Sequence, residues 1–564
     1  RNRVATHVRG ETSGIASTLT YTYDDNGNLT VLEDGRGNDT VHTYDLFDRR
    51  TKTTNALGHY EETDYDKGGN VTEVRRYDAT PTPDVLLQRS TRSFDQRGRH
   101  WQTSDLHKDP STTYSDAVTT IERFKTGHVR YVTDPRSKVT ETQYDNAWRI
   151  TKTIDAMGNE AANTYDGASR RTAWSLLEKD GGSSVTHSYE ASYDDDGRMT
   201  QRREIDRTNG SNVYTTDYLY DSRGNLLWTV NAEGNPTRFT YDGVGRMTKK
   251  EVALAVGSPI TTFTSAIVTE WAFDKNNRLT SFKDDATNTS TWTYDAKDRV
   301  STMVYPNTSQ DVLYTYDAND NVTELTDPAG NFIEDTFDAL NRNTARDVTL
   351  VSGFNDTTTE SRTFDALNRL TENEDDDYRV TYTYGVRGLG STVYQEAQEY
   401  ATGTAYSKTV TTKYDAAGNR TSQVYPSGLA LTYSYNDINA LSSVTDGTNT
   451  IASFSYIGFR PKVTTFGNGA TQTNTYGGFR EDLTTVHHET SAPATLVRMD
   501  YGYNKVHDRT YERFGASGSA GDAFEYDKAR RLTKAWMGSS TPASPSGNTY
   551  VQTIAYNMDD DGNR

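Results

Sequence analysis

The sequence predicts an all-β protein: an antiparallel ribbon of β-hairpins repeated along the whole chain. Three observations predict it. An aromatic–Asp pair recurs at nearly regular spacing. Each copy is punctuated by two turn signatures. No sustained 3.6-residue apolar period with helix caps occurs anywhere in the 564 residues.

The unit is clearest from Tyr21 to Thr54. It reads Tyr21-Thr22-Tyr23-Asp24-Asp25-Asn26-Gly27-Asn28-Leu29-Thr30, then Asp34-Gly35-Arg36-Gly37-Asn38, then Tyr44-Asp45-Leu46-Phe47-Asp48-Arg49-Arg50-Thr51. Tyr21 and Tyr23 are two apart and share one face of a strand. Thr and Tyr suit a pleated, half-buried surface. Asp24 opens a turn because its carboxylate accepts hydrogen bonds from backbone N–H groups ahead of it. Gly27 can adopt the left-handed conformation that closes a short hairpin loop. Asn28, Leu29 and Thr30 start the return strand, and Asp34 to Asn38 turns the chain again. One unit is a hairpin, and a series of units is an up-and-down meander.

The aromatic anchors are Tyr23, Tyr44, Tyr65, Phe94, Phe124, Tyr144, Tyr165, Tyr193, Tyr220, Tyr241, Phe273 and Tyr294, then Tyr316, Phe337, Phe364, Tyr384, Tyr414, Tyr435, Tyr456, Tyr476, Tyr503, Tyr526 and Tyr556, 23 units in all. The next residue is Asp in 16 of them, and Gly, Asn or Asp stands four residues after the anchor in 16. Those three types tolerate the left-handed conformation best. Thirteen intervals are 20 to 23 residues and nine are 27 to 32. The extra residues fall mostly around the second turn, as in Asp78-Ala79-Thr80-Pro81-Thr82-Pro83-Asp84, so longer arms or loops are expected along one edge. Other second turns follow one plan: Asp155-Ala156-Met157-Gly158-Asn159, Asn231-Ala232-Glu233-Gly234-Asn235, and Asp327-Pro328-Ala329-Gly330-Asn331. From Tyr384 onward the signature weakens, and six of the last eight anchors lack the Asp. Residues 384–564 are read as the same architecture with degenerate repeats, and residues 1–564 as a single repeat domain.

Composition sets the bounds. Mean hydropathy is -0.84 and 33% of residues are hydrophobic, too few for a thick apolar core. Thirty-eight Tyr and 7 Trp exclude a disordered chain. A net charge of -19, with no basic stripe to offset it, argues against a nucleic-acid partner. Cysteine is absent, so neither disulfides nor thiolate chemistry arise. The longest clean apolar run, Val252 to Val256, is far too short to span a membrane as a helix. The first residue is Arg1 and the last four are Asp561-Gly562-Asn563-Arg564, a turn signature, so both ends are expected to lie inside a longer array.

The Tyr-Asp-x-x-Gly-[Asn/Arg]-x-Thr sentence resembles the YD-repeat, or Rhs, family, over essentially the whole chain and most strongly from Tyr21 to Leu370. Leucine-rich repeats would need a Leu ladder, and propeller blades a Trp-Asp signature at a longer period. The resemblance implies a β-ribbon wound as a spiral into a hollow shell, the cocoon of bacterial Rhs toxins, of insecticidal toxin complexes, of wall-associated proteins and of teneurins. In toxin members the shell encloses a C-terminal toxin, and a core with Asp-Pro-x-Gly-Leu motifs cleaves it free. Asp134-Pro135 and Asp327-Pro328 lack the following Gly-Leu, so autoproteolysis is not carried over.

No residue is assigned a catalytic, cofactor-binding or metal role, and the chain is not read as an enzyme. Asp194-Asp195-Asp196-Gly197, Asp375-Asp376-Asp377 and Asp559-Asp560-Asp561-Gly562 lack the alternating spacing and terminal Glu of a calcium loop and are read as solvated turn acids. His487-His488-Glu489 lacks the helix and second His of a zinc protease and is read as a hairpin end. Gly515-Ala516-Ser517-Gly518-Ser519 lacks the order of a nucleophile elbow and is read as a linker. Arg or Asn stands five residues after the anchor in 16 units, for example Arg49, Arg149, Arg246, Arg299 and Arg369. This row is read as pairing with turn carboxylates or with carbonyls of the next hairpin rather than as a ligand ladder. Aromatic rows could bind sugars, yet cross-strand packing accounts for them. Asn28-Leu29-Thr30 and Asn70-Val71-Thr72 match a glycosylation pattern that the repeat itself generates.

Two functions stay open. One is an encapsulating shell of a bacterial secreted protein, with a toxin or effector domain as its partner. The other is a cell-surface or wall-associated adhesion protein that meets surface glycans or proteins. Both place the chain outside the cell.

Overall fold

The computed structural model describes residues 3–10, 16–80, 82–108, 114–180, 183–205, 213–257, 262–306, 311–353, 356–376, 378–384, 393–399, 407–477, 481–492, 494–515, 520–544 and 550–556. All regular structure among them is β: 46 strands, with no helix. Every paired strand is antiparallel to its neighbour in sequence. Two compact units are present. One comprises 1–138 with 290–432, the other 139–289 with 433–564. Each therefore brings together two segments far apart in sequence.

Within each unit the hairpins share one turn geometry. In the hairpin of Ser17–Tyr23 and Leu29–Glu33, the Gly27 N–H donates to the Asp24 carbonyl at 3.1 Å, and the Asp24 N–H to the Asn28 carbonyl at 3.0 Å. Gly27 has φ +100°. This is a three-residue loop: a type I turn closed by a left-handed residue. The second turn repeats it, with Gly37 N–H donating to the Asp34 carbonyl and Asp34 N–H to Asn38, both at 3.0 Å. Most hairpins also carry a bulge beside the anchor, as where Tyr23 faces Leu29 while Thr22 faces Val31.

The predicted anchors end their strands at all but four positions, Phe124, Tyr384, Tyr456 and Tyr556. At Phe124 the frame is displaced by one. Strand Tyr114–Arg123 ends on Arg123, and Phe124 occupies the turn-opening place, its N–H donating to His128 and its carbonyl accepting from Gly127. Gly127, at φ +107°, decides this frame, since the left-handed place outranks the aromatic one. Tyr456 lies inside strand Thr450–Ile457, which turns through Gly458-Phe459 alone and pairs Ile457 with Arg460. Strands Tyr378–Thr383 and Gln552–Ala555 stop just before Tyr384 and Tyr556.

The inserted residues of the long units lengthen strands toward the second turn. Arg171–Asp180 and Ser183–Tyr193 have 10 and 11 residues, against 5 for Ile150–Ile154. Neither unit has a thick apolar core. The buried apolar residues are mainly Ala, such as Ala117, Ala191, Ala253, Ala523 and Ala535, and the largest wholly enclosed side chains are His187, Pro236, Pro542 and Ser539. That matches the low apolar content of the chain.

Candidate functional site

The repeated chemistry is concentrated at the turns. Around Asp145, the carboxylate Oδ1 accepts the N–H groups of Ala147 and Arg149 at 2.9 and 3.0 Å. Its Oδ2 accepts Nε of Arg149 at 2.7 Å. Nη1 of Arg149 then donates to the carbonyl of Asp166, the next turn, at 2.7 Å. The same guanidinium lies 4.9 Å over the ring of Tyr165, the next anchor. Tyr165 in turn donates its hydroxyl to the Ile150 carbonyl, beside the bulge of the preceding hairpin, at 2.9 Å. Each Arg is thus shared by its own turn, the next turn and the next ring. Arg49, Arg170, Arg198, Arg246, Arg299 and Arg342 make the same three contacts. The predicted row therefore joins hairpin to hairpin.

The turn carboxyls titrate accordingly. The Asp45 carboxyl is held below the usual range by the Arg49 side chain and by backbone N–H groups. Asp95, bonded to Arg99 in the same way, is pulled down to about 2. The opposite case is Tyr60, whose hydroxyl donates to Asp84 at 2.7 Å and whose phenol is pushed up to about 12, first by that bond.

The two segments of each unit meet along a second set of contacts, between residues 272 to 311 apart. Second turns of the earlier segment face first turns of the later one. In the first unit, Arg36 donates to the carbonyls of Phe337 and Asp338 at 2.7 and 2.8 Å. Asn319 donates to Asp34 at 2.7 Å, and Arg9 to Asp320 at 3.0 Å. Arg136 stands 3.6 Å from Asp415. In the second unit, Glu178 accepts from both Arg460 and His187, and Lys462 bonds Asp180 at 2.6 Å. His187 is wholly buried. Burial pushes the Glu178 carboxyl up, but the bonds from His187 and Arg460 outweigh it and leave it below the usual range. The Lys505 N–H donates to Glu233 at 2.6 Å, and His507 lies between Asp482 at 2.7 Å and Glu204 at 3.7 Å.

Clefts open along these seams. One of about 160 Å³ lies among Asn55, His59, Tyr60 and Ala366 in the first unit. Two of about 250 and 320 Å³ flank the second-unit contact of Glu233 with Lys505, lined by Tyr214, Ala232, His507 and Arg530 on one side and by Asn235, Phe524 and Tyr526 on the other.

The other motifs of the sequence fall outside any constellation. Asp194 and Asp196 bond Arg198, Asp376 accepts from Thr358, and Asp375 from the Tyr378 N–H. Residues 559–562 and 516–519 lie outside the described residues. His487, on strand Leu483–Glu489, meets Thr495 at 2.9 Å. Among the described residues no group of three or more His, Asp and Glu is arranged to hold a metal. The Asn28 amide is spent on Asp24 and Asp48, at 3.0 and 2.7 Å, which explains the sequon by the turn.

The seam was missed by reasoning from local pattern. A signal for it is nonetheless present: the residue after the turn Asp is Ala at 318, 339, 366 and 416 in the later segment, all half-buried. In the earlier segment the same place holds Asp25, Leu46, Lys67 and Gln96, all exposed.

Comparison with known proteins places this geometry. The RHS Repeat family model matches residues 23–60, 220–253, 273–310 and 414–451. No curated protein matches the chain. A crystal structure of TcdB2-TccC3-TEV aligns over 96% of this chain at 13% identity with a TM-score of 0.57, and the chain covers 34% of that one. The Photorhabdus luminescens Tc holotoxin pore (TccC3-D651A) aligns over 96% at 14% identity, with a TM-score of only 0.38 and 32% of that chain covered. The chain thus spans about a third of the length of these structures. The matched stretches include an anchor, its Asp turn and the following second turn, the parts that build the ladder. The chain thus carries RHS repeats at these four stretches and has an all-β hairpin-ribbon fold.

Proposed function

We propose that the chain is a wall: part of an encapsulating shell of a bacterial secreted protein, a single repeat array over residues 1–564 that encloses or carries a toxin or effector domain. The observation that carries this reading is how the turn chemistry is used. The Asp and Arg side chains that could act on a substrate hold one hairpin to the next instead, as at Asp145, Arg149 and Asp166. The role is that of a scaffold and not of an enzyme. The likeness in fold to the TcdB2-TccC3-TEV structure supports it. Low apolar content supports a polar, water-filled interior, since a filled one would need a large apolar core.

Small-angle scattering tests the wall. A solid chain of this length has a radius of gyration near ~24 Å. A wall around a water-filled space exceeds that clearly, and a value at the compact figure removes encapsulation as the function. For the guest, the protein is isolated from its source and treated with protease. A co-purifying polypeptide that survives digestion until the wall is unfolded is the expected result. A surface adhesion role, with glycans or surface proteins as partners, is the second reading. Exposed apolar turn tips favour it, with Leu46 99% and Phe47 79% exposed. Binding of the isolated chain to cell walls, with no guest present, would select it.

A further inference from the structure

Each unit is held together in two unlike ways. Along the ribbon, neighbouring strands share backbone ladders and the Asp–Arg–aromatic contacts. Across the seam, the described contacts are almost all made by polar side chains, with one backbone bond, Gly458 N–H to Lys179 at 3.3 Å, in the second unit. Several of the partners are partly in water, Arg9 and Asp320 being 48% and 34% exposed. Such pairs hold weakly and are screened by salt, whereas a ladder of backbone bonds is not. The clefts of about 160, 250 and 320 Å³ described above lie at these same places, so close packing does not reinforce the side-chain contacts there.

We propose that the seam within each unit is a built-in joint: the two segments part from one another while the hairpin ribbon stays folded. The parting edges are second turns at Asp34–Asn38, Asp134–Lys138 and Asn231–Asn235, and first turns at Asp317–Asn321, Asp338–Arg342 and Asn504–Asp508. Opening exposes the Ala tips and breaks the Arg36, Arg136, Arg460, Lys462 and Lys505 contacts together with the Gly458 backbone bond, but leaves each turn's own hydrogen bonds intact. Reading this joint as the place where an enclosed space opens rests on the wall function proposed above.

The chain contains no cysteine, so single cysteines report opening directly. A318C and A232C are placed at seam tips, A253C in a strand where the native Ala is 0% exposed, and L46C at a turn tip in water. Thiol labelling is followed on the whole chain as NaCl rises from about 0.05 M to about 1 M, where screening shortens to about 3 Å. Labelling of A318C and A232C should accelerate at least tenfold while A253C stays protected, L46C stays fast and the β circular-dichroism signal is unchanged. Arg36→Ala should accelerate A318C labelling without added salt. If the seam cysteines become reactive only together with A253C, as the β signal is lost, the joint does not exist. Salt-independent labelling of A318C and A232C overturns it equally. No guest is involved, so failure here leaves the wall reading standing, while compact scattering removes the wall and leaves the joint.

Discussion

At the scale of the residue, the left-handed place in each turn is the strictest demand the fold makes. Gly245 occupies it with φ +85°, where a side chain is strained whatever space surrounds it. Gly257 lies in a lengthened arm, and an added Cβ would meet Thr262 at an ordinary 3.5 Å. Gly245→Val should therefore cost on the order of 1–3 kcal/mol and Gly257→Val much less, read as urea midpoints. Equal midpoints would remove the turn assignment. This place was legible in the sequence wherever Gly, Asn or Asp fills it. It was not legible at Trp148 and Thr287, with φ of 60° and 70°, because neither residue type favours that conformation and only the frame of hydrogen bonds puts it there. Tyr60 gives a second residue-scale prediction. Its neutral form is favoured in the fold, so the stability it contributes is complete below the unfolded value near 10 and disappears as pH rises through about 12. Burial also raises other phenols, Tyr220, Tyr241, Tyr316 and Tyr456 among them, so ultraviolet titration should show a late-ionising group of tyrosines, and Asp84→Asn should remove Tyr60 from its latest part, near pH 12.

At the scale of the element, two turns with one geometry explain why the hairpins were readable from sequence. Asp at the opening, a left-handed closer three residues later and Arg or Asn next are all local choices, and local pattern suffices for them. The Arg does more than its charge requires. Nε serves its own Asp and Nη1 the next carbonyl, two directions fixed by a planar fork that an ammonium cannot supply. Arg149→Lys should lose the inter-hairpin bond and cost about 1 kcal/mol, in the range of a partly exposed charge-assisted contact. A thermal midpoint unchanged within error would show that the bond to Asp166 contributes nothing. Seam contacts were not readable in this way. They depend on where a segment some 300 residues away comes to lie (272 to 311 in the contacts seen), and no window of sequence sets that distance.

At the scale of the whole molecule, the turn acids act together. Asp24, Asp45, Asp66, Asp95, Asp145, Asp166, Asp221 and Asp242 all have carboxyls lowered by the bonds they accept. A lowered folded value means that the ionised form stabilises the fold. That stabilisation is complete above the unfolded value near 4 and is lost as pH falls through the folded values, about 2 for Asp95. Urea midpoints should therefore hardly change from pH 7 to about pH 5 and fall steeply between about pH 4 and pH 2. A midpoint as high at pH 2 as at pH 7 would contradict the ladder.

The row of shared Arg residues is interrupted. Asn70 bonds its own turn acid, Asp66, and the amide side chain is too short to do what Arg149 does for the next carbonyl, whereas at Asn225 the neighbouring Arg223 reaches the Gly243 carbonyl instead. A polypeptide pulled from its two ends is loaded hairpin by hairpin, because among the described residues each strand is paired with its sequence neighbours. Such a ribbon should peel like a zip rather than shear as a block. Each released unit of 20 to 23 residues adds roughly 7 nm of contour, and each longer one roughly 10 nm. Under an optical trap the trace should be a sawtooth in which the join after Asn70 gives a lower peak than the Arg-bridged join after Arg149. Replacing Asn70 with Arg should raise that peak and leave the step length the same.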